Sequence, residues 1–210
     1  HTPRDERSVP SQLPCCGAGD IGASWCRWHN AEYPDTDAYT RARIDMRLMG
    51  VDYVDLMLLH WPCESFEDTL RSYRALEKLA LEGKARAIGI SNFNASAIDR
   101  LYAAGLFVPP AVNQCGFSIG GHNRTETPLG RDDVTLDKCI ERGITYSAYS
   151  PLGGLSGVDV LNNPVVKAVA AAHNRSSAQV ALRWVTQQGI VAVTASTNPT
   201  HLKSDLQSLD

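Results

Sequence analysis

Short apolar stretches alternate with longer segments of helical periodicity from about residue 41 onward. The short stretches are β-branched or rich in Leu and are apolar on both sides of the pleat, which is typical of parallel strands covered by helices. They predict strands over Val54–Leu59, 87–90, 111–114, 144–149 and 190–194. This βα repetition indicates an α/β fold.

The predicted helices begin and end at residues that favour caps. Residues 66–82 place apolar side chains at helical spacing, with Ser65 and Asp68 as the N-terminal signal and Gly83 as the stop. The same signals predict helices over 95–104, Asp133–Arg142, 164–173 and 177–188, and a last helix beginning at Asn198. No interdomain linker stands out, so we predict a single domain over residues 1–210.

The connection over residues 115–132 is rich in glycine and longer than the usual link between a strand and a helix. A functional lid or substrate loop is one interpretation, because binding residues are often carried on such loops. A disordered surface insertion is the other. The sequence leaves these two alternatives open.

Composition narrows the function classes. The chain has 210 residues, is 43% hydrophobic and 20% charged, and has a formal net charge of −3. This balance lacks the basic field that holds nucleic acid or an anionic membrane surface, so we expect neither partner. The longest nearly apolar run, Val54–Leu59, is far shorter than the roughly 20 residues that cross a bilayer. We therefore expect no membrane span.

The six cysteines contain no CxxC pair, which favours reduced thiols and a reducing compartment, either the cytoplasm or an organelle interior. No signal peptide is visible, and the start at His1 suggests processing or omitted residues upstream. A metal cluster of Cys15, Cys16, Cys26 and His29 is disfavoured because adjacent cysteines do not give the usual chelate spacing. We therefore expect no metal site.

A small polar or aromatic group follows each predicted strand. The carboxyl ends of parallel strands open on one face, so these groups are expected to form a ring. They are His60-Trp61, Ser91-Asn92, Gln114, Tyr149-Ser150 and Ser196.

The chemistry of this ring excludes several enzyme classes. These positions include no paired carboxylates for glycoside cleavage, no His-rich metal set and no phosphate-cradling glycine loop. Amides, hydroxyls, one imidazole and a Tyr ring suit a flat heterocycle that bears an amide. The structural alternatives are a hydrogen-bonded His60, a core Trp61, a helix-capping Ser91-Asn92 and a packed Tyr149.

From about Gly50 to Asp210 the sequence resembles the aldo-keto reductases, which are (β/α)8 barrels that transfer hydride from NADPH to aldehydes and ketones. The motifs are GVDYVDL at 50–56, LHWP at 59–62, GKARAIGISNF at 83–93, VNQ at 112–114 and YSPLG at 149–153. The resemblance implies an α/β fold of the TIM-barrel type, incomplete, with about strands 3 to 8 present. A barrel typically needs about 250 residues, and the deficit lies at the N-terminal end.

The resemblance implies a role for each group of the ring. His60 would orient the substrate carbonyl, and Trp61 would line the substrate pocket. The nicotinamide carboxamide would be held by Ser91, Asn92 and Gln114.

The remaining implied roles belong to the rest of the cofactor. Tyr149 would stack on the nicotinamide ring and fix which face presents its hydride. Ser150 and the backbone near Leu152 would meet the pyrophosphate. Ser196 would be a modest anchor at the adenosine end.

The sequence departs from the family pattern at the proton-donating residues and at the residues that bind the adenosine end of the cofactor. The family's proton-donating Tyr and its Asp have no evident counterpart here. If 11–16 is the end of the third strand, Gln12 stands in place of a Lys, and a neutral amide cannot lower a tyrosine pKa. Ala195 stands in place of a Lys and His201 in place of an Arg, which weakens NADP more than NAD. The resemblance implies NADP as the cofactor, and the loss of these two cations leaves NAD as an alternative.

Two functions follow from this resemblance. The first is an NAD(P)H-dependent reductase that acts on a small carbonyl substrate. The alternative is a catalytically impaired relative that serves as a structural or accessory subunit. An open stack of strands leaves two edges with unpaired backbone groups, and these must be covered by further residues of the same protein or by a protein partner.

Overall fold

The computed structural model describes residues 10–13, 37–154 and 157–209. It divides into two compact units, residues 1–112 and 113–210, which we describe separately. The expectation of one domain stays a prediction. None of the helices in the described ranges is long and apolar enough to cross a membrane. The cluster of Cys15, Cys16, Cys26 and His29 lies outside the described residues.

The first unit alternates strands and helices. Its elements are β1 (Pro10–Leu13), α1 (Ala38–Leu48), β2 (Val54–Leu59), α2 (Phe66–Leu81), β3 (Ala85–Ser91) and α3 (Ala95–Ala103). The strands lie side by side in chain order and are parallel, with Leu13 opposite Leu59 and Leu59 opposite Ile90. Their carboxyl ends therefore share one edge of this part of the sheet.

The core of the first unit lies between β2 and the inner face of α2. Met57, Leu59, Tyr73, Leu76 and Leu79 are fully buried. Burial of each such side chain contributes roughly 1.5–3 kcal/mol. Met57 and Leu59 lie on the same face of β2, and this packing explains why that face is apolar.

Both predicted caps of α2 are confirmed. The Ser65 hydroxyl accepts from the backbone N–H of Asp68 at 3.0 Å, which satisfies a donor of the first turn. Gly83 follows the helix with φ of +69°, a conformation that glycine adopts without steric cost. The local sequence therefore sets both ends of this helix.

The second unit contains the remaining elements. They are β4 (Val112–Gly116), which starts at the boundary, α4 (Asp133–Arg142), β5 (Thr145–Tyr149), α5 (Pro164–Ala172), α6 (Ser177–Thr186), β6 (Val191–Val193) and α7 (Pro199–Leu206). β5 and β6 are parallel neighbours, with Tyr149 opposite Val193. A capping box of Ser176 and Gln179 begins α6, as the sequence predicts.

The connection between β4 and α4 is folded around the buried carboxylate of Asp132. One carboxylate oxygen accepts from the N–H of Thr135 at 2.7 Å, and the other accepts from the N–H and hydroxyl of Thr127 at 2.7 and 2.8 Å. Asn123 also pairs through its backbone with Arg131 and Asp133. These bonds contradict the disordered alternative, and the substrate-loop alternative stays a prediction.

The described cysteines give a mixed answer to the expectation of reduced thiols. Cys115 and Cys139 are buried and free, and burial raises the pKa of the Cys139 thiol to about 11. Cys63 is disulfide-bonded, which contradicts that expectation at this position. A buried thiol with a raised pKa is protonated and unreactive near neutral pH.

Candidate functional site

His60 and Trp61 follow the carboxyl end of β2, as the sequence predicts. The backbone N–H of His60 donates to the carbonyl of Leu13 at 2.8 Å, which continues the pairing of β1 with β2. The rings of His60 and Trp61 lie 5.2 Å apart between centroids. Burial lowers the pKa of the half-buried His60 imidazole below its ordinary value of 6.5. At neutral pH this ring is therefore neutral, with one N–H donor and one acceptor nitrogen.

Asn92 connects His60 to the end of β3. Its side-chain Nδ2 donates to the carbonyl oxygen of His60 and to the Ser91 hydroxyl, each at 3.0 Å. Its φ of +62° is in the left-handed region, which asparagine tolerates better than most residues. The structure thus brings together His60, Ser91 and Asn92, which we call the Asn92 cluster.

The Asn92 cluster directs its bonds into the protein. Ser91 is 1% exposed and Asn92 is fully buried. Both hydrogens of the Asn92 amide serve the cluster, so recognition of a carboxamide here would use the Asn92 oxygen or replace one of these bonds.

Tyr149 ends β5 and is half-buried. Its hydroxyl accepts a hydrogen bond from Nη2 of Arg131 at 3.0 Å, and its carbonyl accepts from the N–H of Phe117 at 3.2 Å. Burial raises the pKa of the Tyr149 phenol, and the Arg131 guanidinium opposes part of that rise. The phenol is therefore protonated at neutral pH.

Ser150 and Arg131 lie on the wall of a cavity of about 250 Å³, which we call the Arg131 cavity. The described lining residues are Gly116, Phe117, Ser118, Gly120, Gly121, His122, Asn123, Arg131 and Ser150. None of these residues is acidic. Hydroxyl and amide donors without a carboxylate suit a polar ligand that carries negative charge, as a phosphate-bearing cofactor does. The second unit therefore fits the implied cofactor by its chemistry.

The other predicted residues have structural partners as well. Gln114 is half-buried in β4. Leu152 packs on a small apolar cluster that contains Val160, Val166 and Ala181. The Ser196 hydroxyl accepts from the backbone N–H of Asn198 at 3.1 Å, just before α7. No described contact assigns these three residues to a ligand.

Sequence reasoning missed Arg131. The only local signal is a cation in a glycine-rich connection, directly before the residue that caps α4. Nothing in that pattern says that its side chain folds back onto β5. The contact with Tyr149 depends on the tertiary structure.

Parallel strands that alternate with helices and carry polar groups at their carboxyl ends define a protein of the β/α-barrel type. The model of the family described as Aldo/keto reductase family matches residues 24–210. The chain belongs to the aldo/keto reductase family.

Several relatives support this assignment. Morphine 6-dehydrogenase of Pseudomonas putida is 40% identical over an alignment of 172 positions, which covers 77% of this chain and 55% of that protein. The crystal structure of an aldo-keto reductase from a Medee basin deep-sea metagenome has a TM-score of 0.78 at 27% identity and covers 100% of this chain and 68% of its own. That of Bombyx mori aldo-keto reductase in complex with NADP has a TM-score of 0.74 at 24% identity, over 99% of this chain and 64% of its own.

These comparisons confirm the α/β fold of the TIM-barrel type. The chain spans 55% of the length of morphine 6-dehydrogenase, a curated relative that it matches. The fold class is thus shown, whereas the activity of the whole protein is a matter for proposal.

Proposed function

We propose that the chain is part of an NAD(P)H-dependent oxidoreductase that reduces the carbonyl group of a small aldehyde or ketone. The observation that carries this proposal is the neutral, half-buried His60, which Asn92 holds through the His60 carbonyl at the end of β2. A neutral imidazole can donate a hydrogen bond to a carbonyl oxygen without adding a net charge beside it. Family membership supports this class of reaction.

The first unit would contribute the substrate side. His60 would orient the carbonyl oxygen, and Trp61 would lie beside the substrate. Ser91 and Asn92 would hold the carboxamide of the cofactor, either through the Asn92 oxygen or in place of one of the bonds that Asn92 makes within the cluster. By the family resemblance, the role proposed for Gln114 is to hold the carboxamide.

The second unit would contribute the remaining cofactor contacts. Tyr149 would offer its ring face to the nicotinamide, and Ser150, on the wall of the Arg131 cavity, would meet phosphate oxygens. Leu152 would contribute backbone contacts, and Ser196 would lie near the adenosine end. The bound cofactor, NADP(H) with NAD(H) as the alternative, supplies the hydride.

Titration with NADPH and NADH tests the proposal. Binding should quench the tryptophan emission of the protein, and a simple aldehyde should then cause loss of the reduced-nicotinamide absorbance. His60→Gln should lower turnover at least tenfold and leave NADPH binding within about twofold, since it removes the imidazole that orients the carbonyl. His173→Gln, which alters an exposed histidine, is the control. Absence of NADPH and NADH binding by the unaltered protein would refute the proposal.

The accessory-subunit hypothesis has a distinct expected result. It requires a protein without turnover whose assembly is insensitive to His60→Gln. No comparison favours this hypothesis, and no contact of the described residues identifies a protein partner. The reductase is therefore the function proposed for the chain.

A further inference from the structure

Arg131 is a half-buried arginine whose guanidinium pairs with a phenol. Nη2 donates to the Tyr149 hydroxyl at 3.0 Å, and the guanidinium carbon lies 5.7 Å from the centroid of the Tyr149 ring. Among the described residues, no carboxylate forms an ion pair with Arg131. Its Nε is buried and has no hydrogen-bond partner among those residues. Buried charges are usually paired, because loss of hydration is costly. A cation that bonds an uncharged phenol rather than a carboxylate is therefore expected to have a function.

The backbone of Arg131 is held from both sides. Its N–H donates to the Thr127 hydroxyl at 2.9 Å, and its carbonyl accepts from the N–H of Asn123 at 3.0 Å. The next residue, Asp132, is the buried carboxylate around which the connection folds. The guanidinium therefore reaches Tyr149 from a fixed backbone position.

Gly116 leaves room for this contact. A Cβ at Gly116 would lie 3.0 Å from Nε of Arg131 and 3.3 Å from Cε2 of Tyr149. Both distances are shorter than ordinary carbon contacts, which lie near 3.5–4.0 Å. The absence of a side chain at the end of β4 thus lets the guanidinium and the ring occupy the same space.

The geometry restricts both motions of the Tyr149 ring. The hydroxyl lies on the axis about which the ring turns, so the bond from Arg131 fixes the direction of that axis. The guanidinium near the ring and the backbone at Gly116 then limit rotation about it. Tyr146 is bonded differently, because its hydroxyl donates to the backbone carbonyl of Gly130 at 2.7 Å and the residue is buried. Of these two tyrosines of β5, Tyr149 is held by a charge.

We propose that Arg131 is a positioning residue that holds the Tyr149 ring in the plane on which the nicotinamide stacks. The proposal rests on the proposed function, because it assumes a nicotinamide cofactor at Tyr149. Arg131 acts through Tyr149 and needs no contact with the reacting atoms. It follows that loss of Arg131 weakens binding of the nicotinamide and leaves binding of the rest of the cofactor unchanged.

The test compares three variants in the full chain. Arg131→Met removes the charge and keeps the length of the side chain, Arg131→Lys keeps a donor, and Arg124→Met removes an exposed charge from the same connection. Dissociation constants are measured for NADPH and for 2′-phospho-ADP-ribose, which lacks the nicotinamide. Arg131→Met should weaken NADPH binding about tenfold, equivalent to about 1.4 kcal/mol. It should leave 2′-phospho-ADP-ribose within about twofold, Arg131→Lys should recover part of the loss, and Arg124→Met should change neither ligand.

A second readout needs no cofactor. NMR of the protein with isotope-labelled tyrosine rings, assigned with Tyr149→Phe, should show faster motion or a shifted signal for Tyr149 in Arg131→Met. Equal weakening of both ligands would overturn the proposal, because the arginine would then act on phosphate or on the fold. An unchanged dissociation constant for NADPH in Arg131→Met would overturn this proposal but not the proposed function. Absence of both NADPH and NADH binding by the unaltered protein would overturn the proposed function together with it.

Discussion

The Asn92 cluster of the first unit and the Arg131–Tyr149 pair of the second unit are built in different ways. In the cluster, an amide bonds a backbone carbonyl and a hydroxyl, and Ser91 and Asn92 have almost no exposed surface. In the pair, a guanidinium bonds a phenol at the wall of a cavity. The cluster is therefore first a structural feature, whereas the pair combines an unneutralised charge with access to a ligand.

Asn92→Ala should give the largest loss of stability, because it acts on the buried cluster. It removes two buried hydrogen bonds and places alanine at a φ of +62°. We expect a loss of about 3 kcal/mol in the free energy of unfolding, from roughly 1 kcal/mol per bond and 1 kcal/mol for the left-handed conformation. Unfolding in urea measures it.

Asn92→Gly is the matched control for this prediction. Glycine loses the same side chain and adopts the left-handed conformation without steric cost. It should therefore be more stable than Asn92→Ala by about 1 kcal/mol. Equal stabilities of the two variants would show that the backbone conformation at Asn92 carries no cost.

Alanine substitutions at Gly89 and Gly116 compare the two regions, because the new Cβ meets backbone at Gly89 and a flexible side chain at Gly116. A Cβ at Gly89, in β3, would lie 2.6 Å from the carbonyl oxygen of Val112 and 2.6 Å from Cδ2 of Leu58. Because backbone must move, Gly89→Ala should cost about 2 kcal/mol of unfolding free energy. Gly116→Ala meets the Arg131 side chain instead, at 3.0 Å, and should cost about 1 kcal/mol or less.

For NADPH binding we expect the opposite order, with the larger loss in Gly116→Ala. Gly116→Ala displaces the guanidinium from Tyr149, so it should weaken NADPH binding while Gly89→Ala leaves it nearly unchanged. Thermal unfolding and NADPH titration of both proteins measure the two effects. If Gly116→Ala retained the NADPH constant of the unaltered protein, the space at Gly116 would not matter for Tyr149.

The strands from β2 onward and most helices could be predicted from the sequence, because apolar runs mark the strands and capping residues mark the helix ends. Val54–Leu59 and Asp133–Arg142 have the predicted bounds, and the ends of the other predicted elements differ by at most two residues. Helix α1 was missed because its inner face is small and includes a buried cation, Arg41. A hydrophobic pattern does not identify such a helix.

The candidate site was predictable only in part. Residues at strand ends, such as His60 and Tyr149, follow from the order of elements in an α/β fold. The inward bonds of Asn92 and the contact of Arg131 with Tyr149 do not, because they depend on where a loop and a side chain fold in three dimensions. Local sequence carries no signal for either.

The pH dependence of stability should show the smallest effect and tests the Asn92 cluster alone. Because burial lowers the folded-state pKa of His60 below 6.5, the unfolded chain binds more protons than the folded one in the range below 6.5. Stability from this residue is therefore fully present above pH 6.5 and is lost as the pH falls through the range down to the folded-state pKa. His60→Gln should remove this part of the slope in urea unfolding, while His201→Gln keeps it. A slope that His60→Gln left intact would mean that another group titrates, and that the neutral state of His60 is not coupled to folding.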